Sequence, residues 1–104
     1  MNSELQDFVI DDVLSFFDSY FRKAVVTIDG VEVEKDIHKT AKHEDTLRKY
    51  VYLDVENGLV TEAALLDPMG RKAYIRTLNY QKDKKGYVIV FPIKQKVEVI
   101  PDAE

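Results

Sequence analysis

The chain has 104 residues, of which 45% are hydrophobic and 33% charged, with four Gly, three Pro and no Cys. This length and composition suit one hydrophobic core, so we expect a single domain over residues 1–104. The lack of Cys excludes disulfides, a thiolate nucleophile and a thiolate-bound zinc. The N-terminus lacks the features of a signal peptide and no apolar run is long enough for a membrane span, so we expect a cytoplasmic or virion-associated protein.

Charge is distributed unevenly along the chain, although the net charge is only −4. Residues 1–70 contain 15 acidic and 7 basic residues, whereas residues 71–96 contain 8 basic residues and 1 acidic residue. Charge separation of this kind bears on association rather than on fold. We therefore expect a protein partner or self-association through oppositely charged regions.

The first predicted element is an amphipathic helix from about Glu4 to Phe21, within residues 1–23. Its apolar residues fall within about half of the helical circumference, with acidic residues opposite. Ser3 and Gln6 have the spacing of a capping box at the start of this helix.

The wide apolar arc of this helix favours packing across a sheet over a narrow coiled-coil contact. Phe8 lies off the arc, which leaves two interpretations, a packed residue of the first turn or an exposed contact aromatic. The predicted core residues of the helix are Val13, Phe16, Phe17 and Tyr20.

Residues 24–100 change to a hydrophobic period of two, which predicts β-strands. Asp29-Gly30 is a two-residue hairpin signal, and its register pairs Ile28 with Val31 and Val26 with Val33. The polar segment Asp36 to Asp45, which holds both histidines, is interpreted as a connecting loop.

The second half continues the pattern of strands and turns. A strand at Thr46 to Glu56 turns at Asn57-Gly58 into a strand at Leu59 to Leu66, which predicts a second hairpin. Asp67-Pro68-Met69-Gly70 has the residues that a type I turn favours. Arg71 to Gln81 and Gly86 to Phe91 form a predicted hairpin across Lys82 to Lys85, Pro92 bends the chain or marks an edge, and Ile93 to Ile100 is a possible last strand.

These elements predict the fold class α+β, with the N-terminal amphipathic helix packed on an antiparallel β meander of six to seven strands. A sandwich or a half-open barrel is the expected packing, followed by a short tail at residues 101–104.

Catalytic and cofactor motifs are missing from the sequence, so we expect a non-enzymatic protein without a cofactor or a small-molecule substrate. All four glycines lie in predicted turns, which leaves no phosphate-binding loop, and the three serines belong to the helix. His38 and His43 lie among carboxylates, but their spacing matches no standard metal-ligand pattern, so we interpret them as solvated side chains.

Basic and aromatic residues interleave along the second half of the chain, and period two places each set on one sheet face. One interpretation is structural, since Tyr favours strands and the aliphatic parts of Lys and Arg side chains commonly cover exposed sheet faces. The others are a protein contact, or a nucleic-acid platform that the acidic remainder of the molecule would disfavour. The candidate partner-binding residues are Arg48, Tyr50, Tyr52, Tyr74, Arg76, Tyr80, Lys82, Lys84, Lys85 and Tyr87.

The segment Lys49 to Arg71, KYVYLDVENGLVTEAALLDPMGR, combines a Tyr-rich strand, a tight turn and an alanine-leucine strand. It resembles strand pairs in small tail and baseplate proteins of siphophages infecting Gram-positive bacteria, including the β-sandwich shoulder domain of some receptor-binding proteins. The resemblance implies a bacteriophage protein with a structural, tail-associated role, and it carries over no catalytic or ligand-binding residue.

Three hypotheses for the function remain open at this point. The first is a structural or protein-interaction protein, phage-encoded and associated with the tail, the virion or its assembly. The second is a nucleic-acid-binding module that uses the basic and aromatic residues. The third is a small inhibitor or immunity-type protein that acts through its acidic residues, namely Asp7, Asp11, Asp18, Glu32 and Glu34.

Overall fold

The computed structural model describes residues 6–94 of the chain. In this range the chain forms one helix, α1 (Asp7–Tyr20), followed by seven strands. The strands are β1 (Lys23–Ile28), β2 (Val31–Asp36), β3 (Lys39–His43), β4 (Thr46–Leu53), β5 (Gly58–Leu66), β6 (Lys72–Lys82) and β7 (Tyr87–Lys94). The predicted α+β class, with one N-terminal helix and six to seven antiparallel strands, is confirmed.

The strands form two antiparallel sheets. The four-stranded sheet has the order β2-β1-β5-β6, and the three-stranded sheet has the order β3-β4-β7. Three strand pairs, β1–β2, β3–β4 and β5–β6, are consecutive along the chain, whereas β1–β5 and β4–β7 join strands that are distant in sequence.

The first predicted hairpin is confirmed in both turn and register. Ile28 pairs with Val31 and Val26 pairs with Val33. Asp29 and Gly30 both have positive φ angles, 51° and 79°. These angles suit a two-residue turn whose twist matches that of the strands, which is why Asp-Gly is favoured there.

The turn after β5 is also confirmed. The Gly70 N–H donates to the Asp67 carbonyl oxygen at 2.9 Å. The Asp67 carboxylate accepts the N–H groups of Met69 and Arg71 at 2.9 and 2.8 Å. An aspartate that bonds the backbone in this way holds the turn in one conformation.

The predicted loop from Asp36 to Asp45 is wrong, because it contains strand β3. Ala41 pairs with Arg48 of β4, and Glu44, with a φ of 55°, makes the reversal between the two strands. β3 lies at a sheet edge, where both faces of a strand can be polar and hydrophobic alternation is weak.

The two hairpins predicted at Asn57-Gly58 and Lys82–Lys85 are also wrong, because both connections cross between the sheets. β4 pairs with β3 and β7, and β5 pairs with β1 and β6, so β4 and β5 do not pair. β6 and β7 likewise belong to different sheets. Turn residues specify a local reversal of the backbone, but they do not specify which strand the following segment joins.

Pro92 lies within β7, which continues to Lys94. β7 is an edge strand, where a residue without an N–H donor is tolerated. Ile93 therefore continues β7, and the remainder of the predicted last strand, like the predicted tail, lies outside the described residues.

The inner faces of both sheets contribute to one hydrophobic core, and α1 adds Leu14, which is 1% exposed. The predicted core position of Phe16 is wrong, since this side chain is 59% exposed. Phe17 and Tyr20 pack against the core from partly buried positions. The apolar arc of α1 is wider than the strip that the sheets cover, so its outer margin, including Phe16, stays in solvent.

The first turn of α1 differs from the prediction. The helix begins at Asp7 with Gln6 as the N-cap residue, and no side chain of residues 6–94 caps it with a hydrogen bond. Ser3, the predicted cap, lies outside the described residues. Phe8 is 67% exposed. The one helix of residues 6–94 lacks the length and apolarity needed to traverse a bilayer.

Candidate functional site

Three of the candidate residues, Arg48, Tyr50 and Tyr52, share the outer face of β4. The strand alternates between half-buried and buried positions from Thr46 to Leu53, and these three occupy the half-buried ones. Because successive side chains point to opposite faces of a strand, the buried set faces the core and the candidate set faces outward.

This outer face extends over the whole three-stranded sheet, since residues directly opposite each other in antiparallel strands share a face. We call it the basic sheet face. Among residues 6–94 its positions hold three basic residues and neither Asp nor Glu. Its members are Lys39, Ala41 and His43 of β3, Thr46, Arg48, Tyr50 and Tyr52 of β4, and Val88, Val90, Pro92 and Lys94 of β7.

Contacts with Lys39, His38 and Gly86 hold the two tyrosines of the basic sheet face in place. Lys39 Nζ lies 5.5 Å from the centre of the Tyr50 ring, which is within cation–π range. The His38 ring lies 5.3 Å from the Tyr52 ring. A Cβ atom on Gly86 would lie 2.5 Å from Tyr52 Oη, so the chain approaches this ring more closely than any other residue type would allow.

The cations of the basic sheet face are available to a partner. Lys39 and Arg48 make no ion pair with any residue of the range 6–94, and Arg48 lies opposite the exposed Pro92 of β7. Unpaired cations and exposed apolar groups therefore lie side by side on one sheet.

The candidates on β6 lie elsewhere, against the edge of β7. Tyr74 Oη donates to the Pro92 carbonyl oxygen at 2.8 Å, and the Arg76 guanidinium donates to the Val90 carbonyl oxygen. These bonds satisfy backbone acceptors that an edge strand would otherwise expose. Tyr74 and Arg76 therefore link the two sheets and do not extend the basic sheet face.

Tyr80 and Tyr87 form a stacked pair across the same junction, with ring centres 3.9 Å apart and planes 12° apart. Both rings are partly buried against the core. The aromatic surfaces of this pair are largely used within the molecule.

Lys82 was predicted to lie on the surface, but its side chain is fully buried. Its ammonium donates to the carbonyl oxygens of Asp54, Glu56 and Asp83 at 2.7, 2.6 and 2.7 Å. The surface placement is wrong because the crossover between β4 and β5 folds over the end of β6. Lys84 and Lys85, in the next turn, are exposed.

The outer face of the four-stranded sheet is charged in a different way, since its cations are paired. Lys72 contacts Glu32 and Glu62, both at 2.6 Å. Hydrogen bonds to Glu32 and then to Glu62 raise the pKa of Lys72 above its usual value. Lys23 pairs with Asp36, and this hydrogen bond raises the pKa of Lys23 and lowers that of Asp36.

The two histidines are not brought together around a metal. The backbone N–H of His38 donates to the Tyr50 carbonyl oxygen at 2.8 Å, and His43 ends β3. Within the described range, no group of three or more potential ligands is arranged to hold a metal ion.

Sequence reasoning missed Lys49, which is 2% exposed. Its ammonium donates to the Asp18 carbonyl oxygen at 3.0 Å and to the Asp18 carboxylate at 2.5 Å, which ties the end of α1 to β4. A signal was present in the sequence, because Lys49 shares the parity of Leu47, Val51 and Leu53 on β4. A lysine at a core-facing position requires buried acceptors.

Together, the fold and the site define a small α+β domain with two antiparallel sheets and one basic, aromatic outer face. No protein-family model, curated protein or solved structure matches this chain.

Proposed function

We propose that this chain is a non-enzymatic protein-interaction protein that binds an acidic protein surface through the basic sheet face. The observation that carries the proposal is the contrast between the two outer faces. The four-stranded sheet neutralises its cations with Glu32, Glu62 and Asp36, whereas Lys39 and Arg48 lack carboxylate partners in the range 6–94. Unpaired cations beside aromatic and apolar groups suit the core and rim of a protein interface.

The same residues support a protein partner over a nucleic acid. Single-strand platforms need aromatic rings whose faces are open to bases. Tyr52 packs against His38 and Gly86, and Tyr80 stacks on Tyr87. The cations remain available, but most of the tyrosine faces are occupied.

The finer description of the fold is part of this proposal. We infer that the two sheets form a half-open barrel, joined at the β6 and β7 edges by the side chains of Tyr74 and Arg76. Joining the sheets there leaves the basic sheet face uncovered.

We propose a bacteriophage tail, the virion or its assembly as the setting, with the protein in the host cytoplasm or in the particle. Support comes from the sequence resemblance of Lys49 to Arg71, although β4 and β5 of this segment lie in different sheets. Genes for tail and lysis proteins on either side of the coding sequence would favour this setting, and a neighbouring toxin gene would favour an inhibitor.

Capture experiments with matched variants test the proposed surface. Wild-type protein, Arg48→Glu and Lys84→Glu are immobilised, and proteins captured from the native host are compared by quantitative mass spectrometry. Both substitutions reverse one cation that makes no ion pair in the described range, Arg48 at a half-buried position of β4 and Lys84 at an exposed position of the β6–β7 turn, which is not part of the basic sheet face. We expect Arg48→Glu to reduce capture of an acidic protein at least about tenfold, since opposed like charges cost several kcal/mol, and Lys84→Glu to retain it. Equal capture by all three proteins, or equal loss in both variants, would overturn the proposal.

A further inference from the structure

A cleft of about 440 Å³ lies between the C-terminal turn of α1 and the segment that enters β3. Phe21 and Ile37 contribute apolar walls, and the remaining lining is polar. Apart from Asp18, its polar lining residues are Ser19, Arg22, His38, Lys39, Thr40 and Lys49.

The charge in this cleft is positive. Three cations, Arg22, Lys39 and Lys49, line it together with one carboxylate, Asp18. Lys49 engages that carboxylate at 2.5 Å and also bonds the Asp18 carbonyl oxygen, so it compensates both the acid and the negative end of the helix. Arg22 and Lys39 make no ion pair with the described residues and are exposed.

We propose that this cleft is a binding site for an oxyanion, either a phosphoryl or a carboxylate group. Arg22 supplies a planar array of N–H donors and Lys39 a mobile ammonium, both of which suit such oxygens. Ser19 and Thr40 add hydroxyl donors from opposite walls. A concave site lined mainly by one sign of charge concentrates counter-ions more strongly than an open surface does.

Lys49 acts as a positioning residue in this site. Its buried ammonium joins α1 to β4 and thereby sets the separation of the two walls. The anion itself contacts the exposed groups. Lys39 belongs both to the cleft and to the basic sheet face, but the inference does not depend on partner binding there, because phosphate binding is measured on the protein alone.

Titration with inorganic phosphate, followed by NMR of backbone amides, tests the site. Sodium chloride at matched ionic strength serves as the reference. We expect saturable shifts at Ser19, His38 and Thr40 on addition of phosphate, and a loss of affinity of at least about tenfold in Arg22→Gln/Lys39→Gln. The double variant Lys84→Gln/Lys85→Gln removes the same charge from a turn whose residues do not line the cleft, and it should bind as wild type does. Unchanged amide shifts outside the cleft confirm that each variant is folded.

Two further titrations distinguish the source of the oxyanion. Acetate reports whether a carboxylate suffices, and a phosphoserine peptide reports whether the group belongs to a protein. Tighter binding of the peptide than of free phosphate assigns the site to a protein-borne group, and equal binding assigns it to a free anion. Absence of saturable shifts with both phosphate and acetate up to about 50 mM, above the millimolar range of a weak single-anion site, would overturn the proposal. Equal shifts in both double variants would also overturn it, because they would show general charge screening.

Discussion

Two lysines, Lys49 and Lys82, are almost completely buried, with two oxygen acceptors around the Lys49 ammonium and three around that of Lys82. Lys49 bonds one residue of α1, whereas Lys82 bonds three carbonyl oxygens from the β4–β5 and β6–β7 connections. A buried ammonium is tolerated only where such acceptors replace its water. Each lysine therefore joins segments that are distant in the sequence.

Replacing Lys82 by Met tests this role. Methionine keeps much of the apolar stem but leaves the three carbonyl oxygens without a donor, so we expect the free energy of unfolding to fall by about 2 kcal/mol. Lys84→Met, two residues further on and exposed, should change it by less than about 0.5 kcal/mol. Urea denaturation of both variants measures the difference, and a Lys82→Met protein as stable as wild type would contradict the structural role.

At the scale of elements, the sheets cover only part of the apolar arc of helix α1. Leu14 belongs to the covered part and contacts the shared core, while Phe16 faces solvent and stacks on Tyr20 with ring centres 5.3 Å apart. α1 is also tied to the three-stranded sheet by the pairs Asp11–Lys42 and Asp18–Lys49. Burial thus differs sharply between two apolar residues only two positions apart.

Alanine substitutions at these two positions should have unequal effects. Leu14→Ala removes buried contacts and leaves a cavity, so we expect it to destabilise the protein by about 3 kcal/mol. Phe16→Ala loses mainly its ring contacts with Phe17 and Tyr20 at an exposed position, and it should cost less than about 1 kcal/mol. Thermal unfolding followed by circular dichroism compares the stability of the two variants. An equal or larger loss of stability in Phe16→Ala would contradict the placement of Leu14 in the core and Phe16 in solvent.

At the scale of the whole molecule, carboxylates in two of the connections between strands accept hydrogen bonds that require their ionised form. Lys35 of β2 donates to Glu56 at 2.6 Å, and this bond holds the Glu56 pKa below its ordinary value of 4.5. The Arg71 backbone N–H, together with the Arg71 guanidinium, lowers the pKa of Asp67 below 3.8. Both groups therefore bind protons less readily in the folded state than in the unfolded chain.

The pH dependence of stability follows from these lowered pKa values. In the unfolded chain Glu56 takes up a proton near pH 4.5 and Asp67 near pH 3.8, whereas in the folded protein both take it up only at lower pH. The free energy of unfolding therefore decreases as the pH falls below about 4.5, and it continues to decrease below 3.8. Glu56→Gln should make this decrease smaller. Glu44→Gln, at an exposed turn position without an ion pair in the described range, should leave it unchanged. Urea denaturation between pH 3 and 7 measures the slopes, and identical slopes for wild type and Glu56→Gln would contradict the assignment.

The sequence by itself determined the features that depend on neighbouring residues. The amphipathic helix, the period-two strands and the turns at Asp29-Gly30 and Asp67–Gly70 follow from local backbone preferences and side-chain alternation. The outward position of Arg48, Tyr50 and Tyr52 also follows, because alternation along one strand needs no knowledge of its partners.

Only the tertiary structure decided which strands pair and which side chains those pairings bury. β4 and β5 are separated by a strong turn signal yet join different sheets, because the burial of both inner faces against one core determines the pairing. Lys82 is buried because two of its acceptors come from residues 26 and 28 positions away. Such acceptors arrive only when the chain has folded, so no local pattern around Lys82 could reveal them.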